Sequence, residues 1–103
     1  MAKLTYVVVY GAFFTPGQVR EKNAFSVSWT IENLGGAQLE SFDVELFLDD
    51  VKEGNSKTVP KLDASKSTPV TWVITKELPS GIHKVELKTG GGSIGFTQFD
   101  VIP

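Results

Sequence analysis

The stretch that most constrains this chain is Ala24 to Asn33, AFSVSWTIEN, in which Phe25, Val27, Trp29 and Ile31 alternate with Ser26, Ser28, Thr30 and Glu32. Successive side chains of an extended strand point to opposite faces, so this order puts four large apolar groups on one side and four polar groups on the other. A helix of the same sequence would scatter both kinds around its circumference and bury neither. The stretch is therefore expected to form a strand with one dry face, and it needs further strands to cover that face.

Three other runs repeat the pattern. Phe42 to Asp49 places Phe42, Val44, Leu46 and Leu48 opposite Asp43, Glu45, Phe47 and Asp49. Thr68 to Lys76 carries Val70, Trp72 and Ile74, and Ile82 to Thr89 sets His83, Val85 and Leu87 against Lys84, Glu86 and Lys88. Leu4 to Tyr10, Lys57 to Leu62 and Ile94 to Ile102 are further strand-like runs. Seven such runs, turn residues at intervals of roughly ten positions and no sustained helical period predict an all-β fold, a seven-stranded antiparallel immunoglobulin-like β-sandwich. At 103 residues the whole chain, 1–103, reads as one domain able to bury a core without disulfide or metal staples. The expected core is Phe25, Val27, Trp29, Ile31, Phe42, Val44, Leu46, Leu48, Val70, Trp72, Ile74, Val85 and Leu87.

The connections carry their own signals. Gly11 to Arg20 contains the turn dipeptide Pro16-Gly17 and two adjacent aromatics, Phe13 and Phe14, which must point opposite ways in a strand. Two readings stay open: the segment crosses between sheets and plugs the end of the core, or it presents an aromatic contact surface. Gly54-Asn55 is the expected centre of a hairpin within Asp50 to Ser56, and Pro60 marks Lys57 to Leu62 as an edge strand, with Lys57 and Lys61 discouraging pairing to another copy. Gly90 to Ser93 is a glycine-rich turn without phosphate-loop spacing. In the last run Ile94 and Phe96 are out of phase with Phe99 and Val101, which predicts a β-bulge near Thr97-Gln98.

Candidate chemistry is sparse. His83 is the single histidine and shares its face with apolar neighbours, so it is expected to be a hydrogen-bonded core or rim residue. No nucleophile elbow and no pair of sensibly placed acids accompanies it, and no catalytic residue and no cofactor is assigned. Asp49, Asp50, Glu53 and Asn55 could suggest calcium, but their spacing is not that of an alternating-oxygen loop and Lys52 interrupts them, so no metal site is assigned. Ten basic and twelve acidic residues are mixed along the chain at a net charge of -2, which offers no patch for nucleic acid. Absence of cysteine rules out thiolate chemistry and disulfides. The run MAKLTYVVVYGAFF is too short for a membrane helix and too rich in β-branched and aromatic residues for a signal sequence, so it reads as a strand.

Beyond composition, Phe25 to Leu87 resembles the cell-adhesion-related domain found in bacteria, CARDB. The residues that carry the likeness are Ile31-Glu32-Asn33-Leu34-Gly35, Val44 to Asp50, Val59-Pro60-Lys61-Leu62-Asp63-Ala64-Ser65-Lys66-Ser67, Thr71-Trp72-Val73 and Pro79-Ser80-Gly81-Ile82-His83-Lys84-Val85. Asp50 and Ser65 stand where that pattern has glycine. The resemblance implies an extracellular module of prokaryotic surface proteins, acting as a spacer or as an adhesion unit toward a protein or cell-surface partner and not as an enzyme, and the expected core is large enough for the module to be monomeric in isolation. Phe13, Phe14 and Phe47 are the expected partner contacts, since aromatics dominate interfaces. A carbohydrate-binding module using Trp29 or Trp72, or an engineered binding scaffold, is the alternative.

Overall fold

The computed structural model describes residues 7–103. Its elements are β1 (Val7–Thr15), β2 (Val19–Arg20), β3 (Phe25–Asn33), β4 (Phe42–Leu48), β5 (Val51–Val59), β6 (Ser67–Ile74), β7 (Gly81–Thr89) and β8 (Gly92–Ile102). They form a three-stranded sheet, β1-β3-β6, and a five-stranded sheet, β2-β8-β7-β4-β5, that face each other as a sandwich. The all-β fold is as expected from the alternation. Among the described residues the count is eight rather than seven, because Val19–Arg20 forms a short strand parallel to β8 at Val101 and Ile102. Leu4 and Tyr6, read as part of the first strand, lie outside the described residues.

Twelve of the thirteen expected core side chains are buried, and Phe42 packs half-buried against them. Val19, Leu39, Val59, Leu62, Leu78 and Val101 join them from loops and strand ends, where no local period announces burial.

One turn and two bulges fall elsewhere than the sequence predicts. The β4–β5 hairpin is a two-residue turn at Asp49-Asp50, both with positive φ (49° and 69°), so β5 begins at Val51 and ends before Pro60. Aspartate tolerates the left-handed region, and a two-residue turn of that hand matches strand twist. Gly54, expected at a hairpin centre, instead lies in a β5 bulge: Val44 pairs with Lys57 while Leu46 pairs with Glu53. The β8 bulge sits at Ile94, between the Leu87–Gly95 and Lys88–Ser93 pairs, and not at Thr97-Gln98. From Gly95 onward a single phase holds, with Thr97, Phe99 and Val101 inward and Phe96, Gln98 and Asp100 outward.

The registers also fix direction. Val7 pairs with Asn33 at the end that holds the β3–β4, β5–β6 and β7–β8 connections. Val101 pairs with Gly81 and Val19 at the opposite end. Among the described residues the path thus begins at one end of the sandwich, the entry end, and finishes at the other, the exit end.

Candidate functional site

Three groupings of side chains stand out from the framework: the outer face of each sheet and a polar cluster at the exit end. On the three-stranded sheet, Tyr10 pairs with Thr30, Phe13 with Ser28 and Thr15 with Ser26, and on the other side Thr71 pairs with Ser28. The polar phase of β3 therefore makes a hydroxyl-lined floor, with Tyr10 and Phe13 along one margin and Val73 on the other. Phe13 is 55% exposed. Thr71 Oγ1 donates to Ser28 Oγ at 3.1 Å, and Tyr10 Oη donates to Glu32 Oε1 at 2.8 Å. That bond to a carboxylate holds the tyrosine hydroxyl above its ordinary pKa of 10.0.

Phe14 takes the opposite phase. Its ring meets those of Phe99 (4.7 Å between centroids) and Phe25 (6.3 Å), closing the core at the exit end. Phe14 thus plugs the end of the core, and Phe13 is the ring of the pair left exposed. The strand continues through both to Thr15, past an irregularity between Tyr10 and Phe13, and the crossing to the other sheet comes only at Pro16 to Gln18.

Phe47 is on the outer face of the five-stranded sheet beside Glu86 and Lys52. Lys88 Nζ stands 4.4 Å from its ring centroid, so a neighbouring lysine covers it in part. Phe96, opposite Glu86 on β8, has Lys84 Nζ at 6.0 Å and is half exposed. Tyr10, Val73, Ile82 and Phe96 are exposed apolar side chains that the sequence reading did not single out. For Val73 and Ile82 the alternation itself carried the signal, since each sits in the outward phase of a strand whose inner phase is plainly core.

At the exit end, His83 reaches from β7 to the β4–β5 turn and to the loop after β6. Its Nδ1 lies 2.5 Å from Asp49 Oδ2 and its Nε2 2.8 Å from the Pro79 carbonyl. The Lys84 backbone N–H donates to Asp49 Oδ1 at 3.0 Å. Burial disfavours charge on both side chains, but their hydrogen bonds outweigh it, raising the His83 pKa above 6.5 and lowering that of Asp49 below 3.8. His83 is the hydrogen-bonded rim residue the sequence predicts. With both nitrogens committed, the ring offers no free lone pair for general-base chemistry.

The acidic turn is likewise occupied by its own chain. Asp50 pairs with Lys84 Nζ at 2.9 Å, Glu53 with Lys76, and Asp49 with His83. Among the described residues no three of histidine, aspartate and glutamate converge in the way a metal ion requires. Both indoles are inside, Trp29 at 1% and Trp72 at 4% exposure, so neither presents a face for sugar stacking.

At the opposite end, Asn33 performs the corresponding task. Its Nδ2 donates to the carbonyls of Ala37 (2.9 Å) and Leu62 (3.0 Å), and its Oδ1 accepts from the Gly35 N–H (2.9 Å). Its own backbone bonds Lys66 and Ser65. One buried amide thereby ties the β3–β4 and β5–β6 connections together.

Comparison with known proteins places this geometry. A CARDB family profile matches residues 6–92. No curated protein matches the chain in sequence. The CARDB domain of the PF1109 protein from Pyrococcus furiosus, solved in complex with di-metal ions, is 17% identical with a TM-score of 0.65, over 93% of this chain and 88% of that one. Pseudomonas fluorescens alkylpurine DNA glycosylase AlkC, bound to DNA containing an abasic site analog, is 18% identical with a TM-score of 0.64, over 95% of this chain and 31% of that chain. Beta-glucosidase from Listeria innocua, in complex with glucose, is 16% identical with a TM-score of 0.68, over 99% of this chain and 16% of that one. At these identities the likeness is one of fold, and in the two enzymes it extends over a minor part of the chain.

Proposed function

We propose that this chain, which belongs to the CARDB family, is a non-catalytic immunoglobulin-like spacer in a longer prokaryotic surface or secreted protein. The observation that carries the reading is the position of the first and last described strands. β1 starts at the Asn33 end and β8 finishes beside Gly81 and Val19 at the opposite end, so each module advances its neighbours by at least one strand length. Nine residues at the rise of a strand span about 30 Å. The occurrence of the same fold as 31% and 16% of two much longer chains fits a building block. The side-chain chemistry points the same way, since His83 and the acidic turn are spent on holding connections together.

Contact with a protein or cell-surface partner is a second role on the same frame, favoured by Phe13 standing exposed beside the hydroxyl floor of β3. In that role Phe13 is the leading contact, Phe47 the contact on the other sheet and Phe14 the ring that supports Phe13's strand from inside.

Two copies joined in tandem by a short linker test the spacer reading by small-angle X-ray scattering. The expected particle is about twice as long as one module with an unchanged cross-section; a pair folded side by side would overturn the reading.

A further inference from the structure

A module joined at opposite ends passes any tension between its neighbours through its own terminal strands. How β1 and β8 are held together therefore matters beyond stability at rest. The two strands run in the same direction: a Cβ on Gly95 would meet Val9 and Trp29, Thr97 bonds Gly11 and Ala12, and Phe99 packs on Phe14. Tension draws Val7 outward at one end and Ile102 outward at the other. β1 must then slide lengthwise along β3, from the Val7–Asn33 pair to the Thr15–Ser26 pair, and β8 along β7. Ladder hydrogen bonds lie across the strands, so this pull strains all of them together, whereas opening a hairpin from its end breaks them in turn.

Between the two loaded strands lies a catch. The Thr97 hydroxyl accepts from the Ala12 N–H at 2.8 Å and donates to the Gly11 carbonyl at 3.0 Å, using both backbone groups freed where β1 departs from its register with β3. Trp29, almost fully buried, is wedged between Gly11 and Gly95. A Cβ on Gly11 would come within 2.8 Å of its Cε3, and a Cβ on Gly95 within 2.8 Å of its Cζ3. Sliding β8 under tension by two residues, the smallest step that keeps its pleat in phase, brings Ser93 to the place of Gly95, and on β1 the residues that follow Gly11 are Ala12 and Phe13. Each of these three residues carries a Cβ, so the indole opposes the first step of either movement. Resting on the spacer reading, we infer that this module is built to bear tension along the chain, with β1 and β8 loaded in shear and the Thr97 hydroxyl, backed by Trp29 between its two glycines, as the catch.

Single-molecule pulling tests this directly, and the lack of cysteine lets thiol handles be placed at will. Pulling through the two chain ends loads β1 and β8 in shear; pulling through Ser80→Cys and Pro103→Cys peels β8 from β7. The expected rupture force is several-fold higher through the ends than by peeling, and Thr97→Val lowers the first while leaving the second unchanged. Equal forces in the two geometries, or a Thr97→Val effect of the same size in both, would overturn the inference. Either result leaves the tandem scattering measurement intact, so failure of the catch and failure of the spacer reading are told apart.

Discussion

Asp49 and His83 meet across the exit end of the sandwich with 2.5 Å between Oδ2 and Nδ1, while the second ring nitrogen faces the Pro79 carbonyl. Both partners are acceptors, and only the imidazolium has two N–H groups to give them. Protonated His83 thus fastens the β4–β5 turn and the β6–β7 loop to β7.

The pH dependence follows from the two shifts. His83 is raised above 6.5, so its contribution is full below that pH and is lost as pH climbs through the folded value; Asp49 is lowered below 3.8, so its contribution is full above 3.8 and lost as pH falls through the folded value. Stability from the pair is greatest between those two reference values. Urea midpoints are expected to be higher at pH 5.5 than at pH 8.5, and nearly equal in His83→Gln. An NMR titration placing His83 at or below 6.5 would contradict this.

At the other end, Asn33→Ala strands the Leu62 and Ala37 carbonyls and the Gly35 N–H, costing about 3 kcal/mol in denaturant unfolding. Ser65, whose N–H bonds the Asn33 carbonyl, holds φ at 66°. Glycine occupies this conformation without the Cβ penalty. Ser65→Gly is expected to leave stability unchanged or to raise it by up to about 1 kcal/mol, whereas a loss beyond that size would show that the hydroxyl is needed.

Trp29 sets a steric limit on two strands at once. Gly95→Ala forces a methyl against a buried ring and is expected to cost about 2 kcal/mol. Gly11→Ala should cost more, since φ there is 142° and strain adds to the clash. Gly36, with open space around it, is the control, expected to shift by no more than about 0.5 kcal/mol as Gly36→Ala.

Phe13 and Phe14 are neighbours in sequence and opposites in energetics. Phe13→Ser removes an exposed ring and should change the unfolding free energy by no more than about 0.5 kcal/mol. Phe14→Ala opens the aromatic cluster with Phe25 and Phe99 and should cost about 2 to 3 kcal/mol. Similar losses for both would place Phe13 in the core.

The sandwich was legible because β3, β4, β6 and β7 each alternate without interruption, so their inner faces could be read residue by residue. The turn at Asp49-Asp50 was not, because the Gly54-Asn55 signal four residues later is the stronger hairpin pattern and was in fact used for a bulge. The bulge at Thr97-Gln98 was expected because Phe96 reads as an inward residue; it points outward, so no slip separates it from Phe99, and the actual bulge lies before it at Ile94. The likeness at Asn33 and His83 proved to rest on structural ties, two side chains that hold opposite ends of the fold closed. Nothing local in the sequence could reveal the Gly11–Trp29–Gly95 stack, which brings together strands far apart in the chain.

The central claim, that the chain passes through the sandwich from end to end, is tested most directly by a nitroxide at Pro103→Cys and the amide spectrum of the labelled protein. Broadening is expected at Gly81, Ile82, Val19 and Arg20, with Val7 to Val9 and Asn33 to Gly35 left sharp. Broadening of Val7 to Val9 together with Gly81 would place both ends of the chain side by side and contradict the account.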